Sequence, residues 1–201
     1  MDQEKVWDMI AVPWSEFRSR VPVTVEKFLS DKKGRILDVG CGSGRNFIKI
    51  DGLKWSGVDF SEVMLGYSRK DAEKKGMDVE LKRAGVDGLP FEDETFDSVL
   101  CYAALHCVDG AEQRKKGVEE IHRVLKSGSE ALISSWGIKA PRLKNKKKEC
   151  FIPWSSRVGD AVKRYTYVYD LDELVDLCKE AGFEIVSAWE DRNVNVIVRK
   201  S

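Results

Sequence analysis

Residues 35–46 read RILDVGCGSGRN, a short apolar run that stops on three alternating glycines. Ile36, Leu37 and Val39 are what a strand buried on both faces of a parallel sheet requires. Gly40, Gly42 and Gly44 then let the backbone turn sharply and let a ligand lie against it. The last glycine falls one residue short of the dinucleotide fingerprint, so a nicotinamide cofactor is not the first choice. Asp38 points the same way, because a carboxylate inside the strand end suits a cationic ligand and repels a pyrophosphate. A helix is expected after Gly44, then a second strand at Trp55–Val58 that ends in Asp59. An acidic residue at the tip of the second strand, about 20 positions beyond the glycine turn, is where a ribose diol is held.

Two later stretches continue the pattern, GLPFEDETFDSVLCYAALH from Gly88 and RVLKSGSEALISSW from Arg123. In order and spacing the four stretches resemble the motifs of the class I S-adenosylmethionine (SAM) methyltransferases, and the resemblance spans nearly all of the chain. It implies an α/β fold, one Rossmann-like domain over residues 1–201. The expected sheet has seven mostly parallel strands in the order 3-2-1-4-5-7-6, with helices on both faces. It implies SAM contacts from Asp38, Gly40, Cys41, Gly42 and Gly44, from Asp59, Phe60 and Ser61, and from Val86, Asp87 and Cys101. Residues Glu4–Leu29, amphipathic and broken by Pro13 and Pro22, correspond to a helical lid over the pocket in that family.

The composition narrows the partners. At 201 residues and 42% apolar the chain suffices for one well-buried α/β domain. Its 34 basic and 34 acidic residues balance, so nucleic acid would have to be held by a local patch. Five cysteines without a C-x-x-C pair fit free thiols in a reducing cytoplasm better than disulfides or zinc, and no metal site is expected. MDQEKVWDMI has acids where a signal peptide needs bases, and no apolar run reaches membrane length.

Along the chain, Ser61 caps a helix running to about Lys75, and Asp78–Arg83 makes a third strand. The implied strand order leaves this strand at the sheet edge, where Val79–Ala84 could accept a strand from another chain. The loop Gly85–Phe91 matches the adenine-binding loop of many methyltransferases, but Gly85 stands where the aspartate that meets the adenine amine is common. Two readings stay open, Asp87 as substitute or Val86 through its backbone. Ser98–Tyr102 is the fourth strand, and it delivers His106 into the crevice where open α/β sheets bind ligands, as general base or as pocket wall. A helix over Ala111–Leu125 and a strand over Glu130–Trp136 follow. Gly137–Arg164 is an insertion carrying Lys139, Arg142, Lys144, Lys146, Lys147 and Lys148, readable as a solvated loop or, with Trp154 beside the bases, as a phosphate-binding loop. Asp170 with Glu173 starts a helix to about Ala181, and Phe183–Trp189 with Val194–Arg199 alternates as an antiparallel hairpin.

Outside the cofactor motifs the chain resembles the tRNA methyltransferases that esterify the carboxymethyl group of wobble uridine. The likeness lies in Arg18 and Val25–Leu29, in Leu105-His106, in Phe151–Trp154, in Arg164-Tyr165, and in Glu190 with Asn193. Cys107 and Val194 depart from that family's usual histidine and tryptophan. The resemblance implies a clamp on the carboxymethyl group by Arg18 or Arg164, with His106 and Trp154 shaping the site. Arg20, Lys144, Lys147, Trp154 and Asn193 would contact the tRNA. It also implies a small zinc-binding activator protein at the edge strand. A small-metabolite methyltransferase and a non-catalytic SAM-binding scaffold are the other readings.

Overall fold

The computed structural model describes residues 2–17, 20–140, 143, 146–154 and 162–201. Its centre is a seven-stranded sheet of β1 (Gly34–Val39), β2 (Leu53–Asp59), β3 (Val79–Arg83), β4 (Phe96–Tyr102), β5 (Leu125–Trp136), β8 (Phe183–Glu190) and β9 (Asn193–Lys200). The strands lie in the order β3-β2-β1-β4-β5-β9-β8. With the separate hairpin of β6 (Glu149–Trp154) and β7 (Val162–Tyr167) set aside, this is the expected 3-2-1-4-5-7-6. β1 to β5 pair in parallel, while β9 runs antiparallel to both β5 and β8.

A period of two along the strands sorts their side chains into two cores. Leu37 and Val39, Val99 and Cys101, Ala131 and Ile133, and Val194, Val196 and Val198 pack on one face, under α4 (Ala111–Val124) and α5 (Leu171–Glu180). Ile36, Leu100 and Leu132 face the other way, against α2 (Val23–Leu29), Phe47 and Leu65 of α3 (Glu62–Lys74). Full burial of each such side chain contributes about 1.5–3 kcal/mol, so the sheet register is fixed by the alternation. The first helix, α1 (Gln3–Phe17), does not join either core. It lies on Met64 and Phe60 with Trp7, Ile10 and Ala11 turned inward, across the C-terminal ends of the parallel strands.

Three local expectations are corrected. No helix follows Gly44, because residues 42–46 are turn and 47–50 carry no regular structure before β2 begins at Leu53. A helix and its connection do not fit in eight residues; Phe47 instead buries its ring edge-on against Trp55. Pro13 does not break α1 but sits inside it, and the carbonyl it leaves without a helical donor belongs to exposed Met9. The insertion is not loop throughout: Lys146, Lys147 and Lys148 are exposed in irregular chain, but the β6–β7 hairpin follows, with Ile152 buried and Phe151 exposed. Pro153 is tolerated there because a two-stranded ribbon has only edge strands. The hairpin is tied down by Arg114 of α4, whose guanidinium donates to the Tyr165 hydroxyl at 2.9 Å and to the Val108 carbonyl at 3.0 Å.

Candidate functional site

The glycine turn is held from below and from the side. Asp59, 7% exposed at the end of β2, accepts the Gly42 N–H on Oδ2 at 2.9 Å and the Ser61 N–H on Oδ1 at 3.0 Å. Ser61 caps α3 by accepting the Met64 N–H, and its hydroxyl donates to Asp8 of α1. Asp38 lies fully buried under the turn, where the Asn46 amide donates to both its oxygens at 3.1 and 3.3 Å. Gly40, at φ +70, has no room for a side chain, since a Cβ there would come within 2.4 Å of that of Ala104. Gly42, at φ +55, faces open space whose nearest atom is the Trp14 indole nitrogen at 3.9 Å.

That space is a cavity of about 100 Å³ between Gly40, Gly42 and Asp59 on one side and Trp7 and Trp14 of α1 on the other, with Phe60 and Val86 in its wall. The donor set fits SAM. Asp59 keeps lone pairs for a ribose diol, Gly42 presents bare backbone, and the Trp7 indole N–H finds no acceptor among the described residues. The volume falls below the roughly 300–1,000 Å³ of small-molecule sites, so α1 stands closed over the cavity and its two tryptophans must withdraw for a ligand of that size.

Burial pushes the Asp59 carboxyl up to about 6 against its backbone N–H bonds, and pushes Asp38 up to about 7 against its bond from Asn46. Folded-state values above the ordinary aspartate range mean that the folded chain binds these protons more tightly than the unfolded one. The stability they contribute is therefore present below the ordinary range and lost as pH rises through 6 and 7. Binding of a diol by ionised Asp59 runs the opposite way. We expect the unfolding midpoint of the free protein to fall between roughly pH 4 and 7 while the rise caused by added SAM grows over the same range. A ligand-induced rise that did not change with pH would show that Asp59 is ionised throughout.

On the far side of Ala103, whose backbone is in the left-handed region at φ +57, opens a groove of about 880 Å³. The start of α2, the ends of β4 and β5, and the β8–β9 turn enclose it, and Arg20, Arg45, Arg192 and Asn193 line it with Tyr102 and Trp136. Both spaces lie outside the C-terminal ends of the parallel strands, where the topology reverses between β1 and β4.

The structure brings together part of what the sequence nominates. Gly40, Gly42, Asp59, Phe60 and Val86 line the cavity, and Arg20 and Asn193 line the groove. Gly44 and Cys41 support the turn without lining the cavity: Cys41 is buried beside Gly57, and a Cβ on Gly44 would meet Ser68 at 2.9 Å. Cys101 is in the core, its thiol pushed up to about 12 by burial, and does not reach the cavity. Asp87 folds back over Gly85 and does not line the cavity, whereas Val86 does. His106 is 2% exposed and stacks on Trp136 at 4.4 Å between ring centres, lining neither space. Lys147 is exposed, and Arg18 and Lys144 lie outside the described residues. Of the other insertion lysines, Lys139 pairs with Glu190 at 2.7 Å and Lys148 with Asp170 and Glu173 at 3.0 and 2.8 Å.

Arg164 is enclosed by indoles. Its guanidinium carbon lies 5.5, 5.3, 5.5 and 5.2 Å from the rings of Trp7, Trp14, Trp136 and Trp154, and the residue is 3% exposed. The cage joins the lid, the end of β5 and the hairpin, and it separates Arg164 from both spaces. Trp7, Trp14, Arg45 and Arg192 were not nominated from sequence. Two tryptophans seven apart on one helix face, and an arginine next to the last glycine, were the available signals.

Residues 36–128 match a family model described as a methyltransferase domain. A protein of Encephalitozoon cuniculi provisionally named a methyltransferase is 31% identical over 176 residues, 82% of this chain and 78% of that one. The tRNA (carboxymethyluridine(34)-5-O)-methyltransferase of Arabidopsis thaliana is 32% identical over 134 residues, 66% of this chain but 32% of that protein. Among solved structures, a SAM-dependent methyltransferase of Methanosarcina mazei superposes with a TM-score of 0.69 at 23% identity, over 90% of this chain and 98% of that one. Among the described residues no helix is long and apolar enough to cross a membrane, and no cluster of side chains could hold a metal ion.

Proposed function

Because the chain belongs to the SAM-dependent methyltransferases, we propose that it methylates the carboxylate of 5-carboxymethyluridine at the wobble position of tRNA, in the cytoplasm. The observation that supports this acceptor is the arginine-lined groove beside the cofactor cavity, a local positive field on a chain whose formal charges cancel. When bound, SAM supplies a sulfonium methyl: a carboxylate oxygen forms the new C–O bond as the C–S bond breaks and leaves its electron pair on sulfur. Both charges vanish, giving a neutral ester and a thioether, and no proton moves. A carboxylate acceptor therefore needs orientation more than a general base. That suits His106, whose buried ring stiffens Trp136. Asp59 and Val86 would hold the cofactor's ribose and adenine, and Trp7 and Trp14 would exclude water above the transferred methyl. In this reading Arg164 props the wall of the site rather than clamping the acceptor, while Arg20 and Asn193 contact the RNA.

The open edge of β3 is where we place the zinc-binding activator, by strand addition over Val79–Ala84. The test of both parts is transfer of labelled methyl from SAM to bulk tRNA carrying carboxymethyluridine, with and without that partner, followed by mild alkali. Alkali-labile label is expected, and more of it with the partner. No label in either condition, with SAM binding intact, would transfer the reading to a small-metabolite methyltransferase.

A further inference from the structure

The groove is not uniform along its length. Arg45 follows Gly44 directly and stands half-buried at the inner end, its guanidinium carbon 5.7 Å from the face of Tyr102. It makes no hydrogen bond or ion pair among the described residues, although Asp38 beneath the turn contributes a nearby negative charge. Arg20 and Arg192 are exposed at the rim. Among the described residues the one lining carboxylate, Asp191, accepts the backbone N–H of Asn193 at 2.7 Å. A half-buried guanidinium with unused donors, beside an aromatic face, is a preorganised fork for a carboxylate. Exposed arginines at a rim suit phosphates, which need charge more than geometry.

We infer that the groove binds its acceptor as an anion at two depths: Arg45 holds the carboxylate that receives the methyl, next to Ala103 and the cofactor cavity, while Arg20 and Arg192 hold backbone phosphates. This assignment rests on the methyl-acceptor reading above, but it names a residue that reading does not. It also fixes how Arg45 acts. Because the carboxylate loses its charge in the transition state, a cation on it stabilises the bound acceptor more than the transition state. Arg45 is thus a binding and orienting residue whose removal raises KM more than it lowers kcat.

The test uses an anticodon stem-loop RNA bearing either 5-carboxymethyluridine or uridine at the wobble position, titrated at two salt concentrations. The proteins are the wild type, Arg45→Ala and Arg192→Ala, with S-adenosylhomocysteine binding as the check on folding. The wild type should prefer the carboxymethyl RNA by on the order of 10- to 100-fold. Arg45→Ala should lose that preference and keep its affinity for the plain RNA. Arg192→Ala should weaken both RNAs alike and reduce the slope of log affinity on log salt by about 1. An Arg45→Ala protein that still prefers the carboxymethyl RNA would overturn the assignment. Should neither RNA bind the wild type, the tRNA reading fails by itself. The groove is then tested with benzoate and indole-3-acetate, which must bind the wild type at least about 10-fold more tightly than Arg45→Ala; equal binding would overturn the groove as well.

Discussion

Asp59→Asn weakens SAM binding by on the order of 100-fold or more in calorimetric titration, and it destabilises the free protein by about 1–3 kcal/mol. The reason lies in what the carboxylate does before any ligand arrives. Both oxygens already accept backbone N–H groups, one from Gly42 and one from Ser61. An asparagine can satisfy only one of them with its carbonyl and must set its NH2 against the other donor. Relief comes by rotating the side chain or opening the turn, and either displaces the acceptor on which a ribose diol depends. Two charge-assisted hydrogen bonds to that diol, each about 1.5–3 kcal/mol, are lost with it. The same substitution should also remove the pH dependence of SAM-induced stabilisation. A variant that binds SAM within threefold of the wild type would show that Asp59 serves the turn and not the ligand.

Arg164→Ala should cost about 3–5 kcal/mol of unfolding free energy and shift tryptophan emission to the red as the surrounding indoles gain water. Four of the chain's six tryptophans face this one guanidinium, so the substitution empties the centre of a cluster built from α1, β5 and β6. Cation–ring attraction is worth about 2 kcal/mol or more per desolvated pair, yet burying a cation is costly, so the net sign of the charge itself needs its own variant. Arg164→Met keeps most of the volume and none of the charge. If it unfolds at the wild-type denaturant midpoint, packing alone holds the cage; a midpoint close to that of Arg164→Ala assigns the cohesion to the cation. Because Trp7 and Trp14 are also the roof of the cofactor cavity, Arg164→Ala should loosen the lid and quicken SAM entry.

What could be read from the chain alone follows locality. The first strand, the glycine turn and Asp59 at the end of the second strand are legible in one contiguous stretch through its apolar run and glycine spacing, while the sheet order is what the methyltransferase resemblance implies; these agree with the structure. The helix expected after Gly44 was carried over from the usual strand-helix-strand alternation, against a spacing too short to hold it. Pro13 reads as a helix breaker because sequence does not show that Met9, whose carbonyl it leaves without a helical donor, is exposed. The lysines of the insertion obscured the buried–exposed alternation at Ile152 and Phe151, which is the signature of the hairpin. The cage and the groove were out of reach for another reason. Positions 7, 14, 136, 154 and 164 meet only through tertiary packing, as do 20, 45 and 192, and no short-range pattern marks residues that converge from opposite ends of a chain.

Ala103 stands in the wall of the cavity and in the wall of the groove, with its backbone in the left-handed region. One residue thus borders two adjoining spaces with different approaches, one beneath α1 and one beside the β8–β9 turn. Under the proposed reaction the cofactor and the acceptor would enter by separate mouths, so initial-rate kinetics should show random addition; strictly ordered addition would show that one mouth closes the other.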